Sequence, residues 1–299
     1  MTDQPVLVLV PDASGASGTE PRLAGPDGLH VRVTDLGITR GDGVFETIGV
    51  FAGRPVNVRP HLERLQRSAT MLDMGELDLD LVGRAIETAI EEHADVEELM
   101  VRVIVTRGNE PGLPESGYPS GWVHAKTMPS YQADRREGID VVTLDRGLPT
   151  TAPDTSPWLL AGAKSLSYAI NMAALREAAR RGASDVLFVA SDGYVLEAPT
   201  ATLLVRQGER LITTPPEAGV LPGTAQRLVF ETLRVEGREC VEELLTPEQV
   251  ATSDGAWLVA SGRLATPIRR LDDRELAIDH ELTDKLGEII AGRSTPAAQ

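Results

Sequence analysis

Several stretches of the chain alternate apolar and polar residues with a period of two. The clearest covers residues 99–106, where leucine or valine occupies every odd position while Arg102 and Thr106 fall on the opposite face. Such alternation predicts a β-strand that buries one face. Shorter apolar stretches bounded by turn residues predict further strands over 44–51, 122–126, 139–144, 185–190, 194–197, 202–205 and 257–261.

Other stretches place apolar residues three or four positions apart, as an α-helix requires. One of them follows Pro60, which suits the first helical position because its missing N–H would have no partner there. Gly182 and Gly237 follow two more, as glycines commonly do at helix C-termini. The predicted helices cover 61–72, 79–93, 167–181 and 224–235, with a short one capped by Thr246-Pro247-Glu248.

Strands and helices do not alternate regularly along the chain, so the pattern predicts an α+β fold without a regular βαβ array. Residues 11–28 and 108–120 are rich in glycine, proline and small polar residues and predict loops. The polar segment 129–137 begins with a proline and predicts an interdomain linker. It would join a smaller N-terminal α/β domain (1–128) to a larger C-terminal domain (138–299).

The composition, with 41% hydrophobic and 25% charged residues among 299, is that of a globular protein with a sizeable core. The net charge of −16 repels phosphate backbones and argues against a nucleic-acid partner. The single cysteine, Cys240, excludes a disulfide framework and fits a reducing compartment.

The sequence shows no Cys/His cluster with metal-ligand spacing. The N-terminus lacks the basic start of a signal peptide, and the apolar run Val6–Val10 is too short to cross a bilayer. We therefore expect a cytoplasmic protein that holds no metal and does not associate with a membrane.

A chemistry that needs a lysine amine has only three candidates, Lys126, Lys164 and Lys285. Lys164 follows the small residues Gly162 and Ala163 just before a predicted helix, an uncrowded place for a nucleophilic amine. The helix dipole slightly disfavours a cation there. The alternative is an ordinary surface lysine near a helix start.

Glu197 ends a predicted apolar hairpin, where a carboxylate is costly to bury unless it is paired. A cationic partner is expected. The protonated pyridine nitrogen of pyridoxal 5′-phosphate (PLP) is one such cation, and an arginine in a structural ion pair or plain solvation of the hairpin end is the alternative.

Four sequence blocks occur in an order that resembles the class IV (branched-chain-aminotransferase-like) family of PLP enzymes. The resemblance extends from about Val31 to Leu271. The family includes branched-chain aminotransferases, D-amino acid aminotransferases and 4-amino-4-deoxychorismate lyases. The blocks are Gly41-Asp42-Gly43-Val44-Phe45-Glu46-Thr47 with His61-Leu62-Glu63-Arg64-Leu65, then Lys164–Asn171, Asp192–Glu197, and Thr214-Pro215-Pro216 with Gly219–Gly223.

This resemblance implies a two-domain class IV aminotransferase-like (D-amino acid aminotransferase-like) fold with PLP in the cleft between the domains. It also implies a homodimer whose partner loops help to close each site, and a small-molecule amino substrate.

The resemblance further assigns roles to individual residues. Lys164 matches the lysine that forms a Schiff base with PLP, Glu197 the partner of the pyridine nitrogen, and Arg64 the phosphate-binding arginine. The backbone N–H groups at Thr224 and Ala225 match a phosphate-binding helix start, and Ser261 matches a hydroxyl that touches the phosphate.

Each of these assignments has a plainer alternative. Arg64 could be a solvated helix arginine, Thr224 an ordinary N-terminal helix residue, and Ser261 a loop hydroxyl. Two positions depart from the family pattern: Ala225 stands where many members have threonine, and Thr202 where asparagine is usual.

The reaction depends on the substrate pocket. The D-amino acid aminotransferases resembled here hold the α-carboxylate with an Arg-x-His pair, which is absent from residues 106–113. Arg102 and Arg107 remain as candidate carboxylate clamps, since guanidinium binds carboxylate in bidentate fashion. A surface strand arginine is the alternative for Arg102.

The stretch 40–48, together with Arg102 and the following Thr106-Arg107-Gly108, is most similar to actinobacterial-type aminodeoxychorismate lyases. The first hypothesis is therefore a 4-amino-4-deoxychorismate lyase that gives 4-aminobenzoate and pyruvate for folate precursor synthesis. An aminotransferase acting on branched-chain or D-amino acids is the second, and a non-catalytic family member is the third.

Overall fold

The computed structural model describes residues 4–113 and 119–293, so part of the predicted loop 108–120 lies outside the described residues. The chain divides into two compact units. The first unit comprises Met1–Pro129 together with Ala163–Tyr168, and the second comprises Ser130–Gly162 together with Ala169–Gln299.

The first unit contains an antiparallel sheet, whose described strands run in the order β2-β1-β6-β5-β3-β4, and two long helices. Its elements are β1 (Val6–Val10), β2 (Arg22–Ala24), α1 (Leu36–Arg40), β3 (Gly43–Phe51), β4 (Arg54–Pro55), α2 (Val58–Met71), α3 (Leu79–Glu91), β5 (Glu98–Thr106) and β6 (Ser120–Thr127).

Helices α2 and α3 cover one face of this sheet. The alternation predicted for residues 99–106 is confirmed, because the leucine and valines at odd positions of β5 are buried while Arg102 is exposed. On the face away from α2, Thr47 of β3 pairs with Arg102, and Arg102 pairs with His124 of β6. Phe45, two residues before Thr47 in β3, lies on this same face.

The second unit is built on a mixed sheet, whose described strands follow the order β11-β10-β9-β12-β13-β7-β8, with β14 paired to β13. Its elements are α4 (Gln132–Glu137), β7 (Ile139–Asp145), α5 (Ala152–Thr155), α6 (Ala169–Arg180), β8 (Asp185–Val189), β9 (Thr202–Gln207), β10 (Arg210–Thr213), α7 (Thr224–Val235), β11 (Cys240–Glu242), α8 (Pro247–Ala251), β12 (Gly255–Ala260), β13 (Leu264–Leu271), β14 (Arg274–Glu275) and α9 (His280–Ile290).

Both parallel and antiparallel pairings occur in the second sheet. β7 lies between β13 and β8 and is parallel to both, whereas β9 is antiparallel to β10 and β12. A core of fully buried aliphatic side chains, including Leu203, Leu258 and Ile268, packs against this sheet. Two sheets with separate helices are what the predicted α+β class requires.

The helix predicted after Pro60 begins earlier than expected. α2 starts at Val58, so Pro60 is its third residue, and His61 N makes the first described helical bond to Asn57 O at 3.1 Å. Proline is tolerated at the third position because the first four N–H groups of a helix have no partner within it.

The segment predicted as a strand over 194–197 pairs back onto β8 as a short irregular hairpin. Val195 bridges to Val189, Ala190 N donates to Tyr194 O and Leu196 N to Phe188 O, both at 2.8 Å, while the Val195 N–H donates to Leu245 O at 2.8 Å. The preceding turn at Asp192-Gly193 is present, with Gly193 at a φ of +93°.

The linker predicted over 129–137 contains the short helix α4. The segment carrying Lys164 groups with the first unit, although the sequence placed it in the C-terminal domain. The reason is a long-range strand pairing of residues 164–166 with β3, described below. The domain boundaries stay a prediction.

Among the described residues, no helix is both long and apolar enough to cross a membrane. The same residues contain no group of three or more His, Cys, Asp or Glu side chains arranged to hold a metal ion.

Candidate active site

Lys164 lies in a short extended segment at the edge of β3. Phe45 N donates to Lys164 O at 3.1 Å, and Leu166 N donates to Gly43 O at 2.8 Å. Ser165 lies opposite Val44 between these two bonds. Since side chains alternate along a strand, Lys164 shares the sheet face of Phe45, which points away from α2.

The side-chain amine of Lys164 follows this direction. Its Nζ lies 4.6 Å from the centroid of the Phe45 ring. Tyr168 packs edge-on against the same ring, with the centroids 5.3 Å apart. An ammonium at this distance from an aromatic face is held by a cation–π interaction. The lysine amine is therefore directed to the face that also carries Arg102.

Behind this sheet face lies a buried ion pair between β3 and α2. Glu46, which is fully buried, accepts from Arg64 Nε at 2.7 Å and from Arg64 Nη2 at 2.8 Å. His61 Nδ1 lies 2.7 Å from Glu46 Oε2. Because a carboxylate can only accept, the proton of His61 is on Nδ1. The network fixes the orientation of the Arg64 guanidinium.

The charges in this network favour one protonation state. Burial alone would raise the pKa of Glu46, but the charge of Arg64 and the hydrogen bonds from Arg64 and His61 hold that pKa far below its ordinary value of 4.5. Burial lowers the pKa of His61 below 6.5, and the nearby charges of Arg64 and Lys164 lower it further against the opposing effect of Glu46. At neutral pH the carboxylate is ionised and the imidazole is neutral.

In the second unit, Glu197 is half-buried and its position is set by the backbone. Its Oε1 accepts from Leu221 N at 2.9 Å. Leu221 lies two residues before Gly223, so the carboxylate is tied to the loop that leads into α7. The interaction orients one oxygen of a carboxylate that the sequence placed at the end of an apolar segment.

The start of α7 has the features of an anion-binding helix N-terminus. No side chain caps the helix at Gly223, and the side chains of Thr224 and Ala225 are buried. A Cβ atom at residue 223 would lie 2.4 Å from Thr202 Oγ1, so the close approach of this backbone to Thr202 requires glycine. Backbone N–H groups and the dipole of a helix start favour an anion.

Ser261 lies in the turn between β12 and β13. Val259, two residues earlier, pairs with Thr202, which places this turn at the same end of the sheet as the Gly223 loop. The turn is held by Arg263, whose Nη1 donates to the buried Asp185 Oδ2 at 2.7 Å. Ser261, Thr224 and Glu197 are therefore gathered within the second unit.

The two candidate carboxylate clamps differ in their surroundings. Arg107 donates to both oxygens of Asp42, at 2.6 and 3.0 Å, to Asp73 O at 3.0 Å, and also to Leu72 O. A substrate carboxylate would have to compete with Asp42 for the same guanidinium. Arg102 is exposed on the face that carries Lys164. The Arg107 guanidinium is thus already engaged by Asp42, whereas Arg102 is an exposed residue.

Three residues of this region were given no role from the sequence: Glu46, His61 and Ser68. Glu46 had a signal that could have revealed it, since a carboxylate inside an apolar strand requires a buried cation. Ser68, whose Oγ accepts from the Lys164 N–H at 3.1 Å, had none. The hydrogen bond between Ser68 and Lys164 joins residues far apart in the chain, and local sequence patterns do not predict such contacts.

Each unit, taken by itself, carries groups whose chemistry suits part of PLP, which offers an aldehyde, a ring nitrogen and a phosphate. The first unit supplies the Lys164 amine beside the Phe45 ring and the buried arginine Arg64. The second carries the oriented carboxylate of Glu197 and a helix that begins after Gly223 without a side-chain cap. The Lys164 amine suits the aldehyde, the Glu197 carboxylate suits a protonated pyridine, and Arg64 and the backbone N–H groups of the helix start suit a phosphate.

Comparison with known proteins identifies the family. The sequence matches the amino-transferase class IV family over residues 43–271. A bifunctional aminodeoxychorismate lyase / D-amino acid transaminase of Mycobacterium tuberculosis is 43% identical over 252 residues, which cover 81% of this chain and 86% of that protein.

Solved structures agree with this match. A fold IV-transaminase from Curtobacterium pusillum has a TM-score of 0.91 and 43% identity, covering 97% of this chain and 100% of that one. A hypothetical aminotransferase from Mycobacterium tuberculosis in a PLP-bound form has a TM-score of 0.87 and 38% identity over the same shares of the two chains. The predicted family, fold class and cofactor are confirmed. The chain belongs to the class IV amino-transferase family and is a PLP-dependent enzyme.

Proposed function

We propose that the protein is a 4-amino-4-deoxychorismate lyase that releases 4-aminobenzoate and pyruvate and retains aminotransferase activity toward amino acids. The observation that carries this proposal is the 43% identity, over 81% of the chain, to a protein named for both activities. A shared early mechanism makes the pairing chemically reasonable, since both reactions begin by removing a proton from the carbon that bears the amine.

Lys164 is proposed to bind PLP covalently and, once the substrate amine has replaced it, to act as the base. When bound, PLP supplies an electron sink that spreads the negative charge left by proton removal. The position of the Lys164 amine beside Phe45 supports this role, because it holds the base on one defined sheet face.

Glu197 is proposed to pair with the pyridine nitrogen, while Arg64, Ser261 and the backbone at Thr224 and Ala225 bind the phosphate. Support comes from the Leu221 N–H that orients Glu197 and from the uncapped start of α7. Arg64 is a paired cation, and Glu46 fixes the direction of its guanidinium. Because Ala225 has no hydroxyl, its contribution is limited to the backbone N–H.

Arg102 is proposed to bind a carboxylate of the substrate. It is exposed on β5, opposite Thr47, which lies two residues beyond Phe45 on the same sheet face. Aminodeoxychorismate carries carboxylates that need such a partner, and guanidinium is the side chain best suited to them. An acidic chain with a net charge of −16 needs a local cation for an anionic substrate.

Parallel assays of the purified holoenzyme test this proposal. With 4-amino-4-deoxychorismate the expected product is 4-aminobenzoate, together with pyruvate in equal amount. With D-alanine or a branched-chain amino acid as donor, slower transfer to a keto acid is expected. Robust amino-group transfer without any 4-aminobenzoate would refute the lyase assignment and support an aminotransferase. Failure of both reactions in a protein that binds PLP would favour a non-catalytic family member.

A homodimer is proposed as the assembly. Several large apolar side chains of the second unit are exposed in the single chain, among them Trp158 at 73% and Ile170 at 55%. A second copy that covers them would remove this apolar area from water. Light scattering after size-exclusion chromatography should give twice the chain mass of 32.1 kDa. A mass of one chain across the working concentration range would contradict the dimer.

A cytoplasmic location and a role in making a folate precursor accompany the lyase proposal. The single thiol, that of the buried Cys240, is compatible with a reducing compartment. Cell fractionation with an antibody to the protein tests the location, and recovery of the protein outside the cytoplasmic fraction would refute it.

A further inference from the structure

Lys164 is the first residue of the short segment that pairs with β3. Toward the C-terminus, Leu166 is fixed by its bond to Gly43 O, and Lys164 O accepts from Phe45 N. Toward the N-terminus the chain turns at once, because Gly162 adopts a φ of +85°. The backbone of Lys164 therefore lies where an ordered segment follows a left-handed turn.

The N–H of Lys164 is bonded to α2. It donates to Ser68 Oγ at 3.1 Å, a contact between residues 96 positions apart. This bond ties the N-terminal end of the paired segment to the helix, while the two bonds to β3 hold the rest of the segment.

Ser68 stands on a rigid part of the first unit. It is 1% exposed and lies one and two turns beyond Arg64 and His61, on the same face of α2. That face packs on β3 through the buried pair of Arg64 with Glu46. The acceptor for the Lys164 N–H is thus fixed to the strand that carries Phe45.

We propose that Ser68 is a positioning residue for Lys164. The hydroxyl oxygen of Ser68 anchors the backbone of Lys164 and so sets the direction in which the lysine side chain leaves the strand. This inference rests on the proposed covalent link between Lys164 and PLP. A lysine side chain has several rotatable bonds, and each bond left unordered lowers the fraction of time that the amine spends in reach of the substrate carbon. Anchoring the backbone removes one source of that disorder.

Two measurements test the variant Ser68→Ala, and a general loss of stability would reproduce neither result. The first is the pH titration of the visible absorbance of bound PLP, which should shift because the amine sits differently. The second is hydrogen exchange at the Lys164 amide in the cofactor-free protein, which should become faster relative to exchange at the Leu166 amide, because the latter keeps its bond to Gly43 O while a general loss of stability would speed both. We expect kcat to fall by about 10- to 100-fold with KM changed by less than about threefold, since small misplacements of a reacting group act on the chemical step.

Two further variants provide the controls. Ser68→Thr keeps the hydroxyl and should restore the absorbance titration and most of kcat. Thr70→Ala removes another hydroxyl from α2, an exposed one bonded to Gln66 O, and should leave both readouts unchanged.

The result that overturns the inference is an unchanged absorbance titration and unchanged amide exchange in Ser68→Ala. Failure of Ser68→Thr to restore either readout, in a variant that melts like wild type, overturns it as well. A wild-type protein that takes up no PLP at Lys164 would instead overturn the proposed function, and the amide exchange of Ser68→Ala would still report whether the anchor exists.

Discussion

Replacing Lys164 with alanine is expected to abolish both the lyase and the aminotransferase reactions. The variant loses the amine that links PLP and the base that removes the substrate proton. A positioned base alone contributes about 10²- to 10⁴-fold to a rate, so the combined loss should exceed about 10³-fold. Steady-state assays with each substrate measure it.

Lys285 provides the matched control, because it is a surface lysine paired with Glu236. Lys285→Ala should keep wild-type rates and the visible absorbance of the cofactor. Turnover by Lys164→Ala near the wild-type rate would show that the lysine assignment is wrong.

The largest effect on stability is expected from Glu46→Ala. The substitution leaves the Arg64 charge buried without its carboxylate, and removing one partner of a buried pair costs about 3–5 kcal/mol of the free energy of unfolding. Urea unfolding followed by circular dichroism measures the change. The orientation of Arg64 should be lost as well, so weaker PLP binding is expected in the same variant.

Glu63→Ala is the control for this measurement. Glu63 forms an ion pair with Arg59 on the exposed side of α2, where the arginine side chain is 90% exposed. Such surface pairs contribute less than about 1 kcal/mol. Equal destabilisation by Glu46→Ala and Glu63→Ala would contradict the importance assigned to the buried pair.

Acid should remove the contribution of Glu46 to stability. Its pKa is lower in the folded protein than the ordinary value of 4.5, so the folded state binds fewer protons than the unfolded state below that pH. The contribution is fully present above pH 4.5 and is lost as the pH falls further. The stability difference between wild type and Glu46→Gln should therefore be constant near neutrality and shrink in acid. A difference that grows in acid would mean that the carboxyl is protonated in the fold.

Elements whose sequences carry a complete local signal could be predicted well. β5 alternates strictly and occupies Glu98–Thr106, one residue longer than its predicted span. α7 begins at Thr224, directly after a glycine turn, and α8 is capped by Thr246 and Gln249 in a capping box. In these cases, periodicity and capping chemistry decide the structure before any distant residue contributes.

Elements that depend on distant residues were predicted less well. The helix expected over 167–181 begins at Ala169, because the residues just before it, 164–166, are held in extended pairing with β3. The segment expected as a strand over 194–197 pairs with β8 only irregularly, and Val195 donates its N–H to the distant Leu245 O. Long-range hydrogen bonds of this kind override local preference, and no window of neighbouring residues contains them.

In the candidate site, too, some features could be predicted from local sequence and others depended on distant residues. Lys164 and Glu197 could be singled out from residue chemistry, and the family resemblance gave them roles. The partner of the Lys164 N–H could not be predicted, because Ser68 lies on a helix distant in sequence. The preference for Arg102 over Arg107 also needed the structure, since only the contacts with Asp42 show that the latter guanidinium is occupied.

Chemical trapping tests most directly whether Lys164 carries the cofactor. Borohydride reduction of the holoenzyme, followed by digestion and mass spectrometry, should locate a pyridoxyl group on the peptide that contains Lys164. Lys126 and Lys285, the two other lysines in the sequence, should remain unmodified. A pyridoxyl group on either of these, or on no lysine at all, would contradict the account.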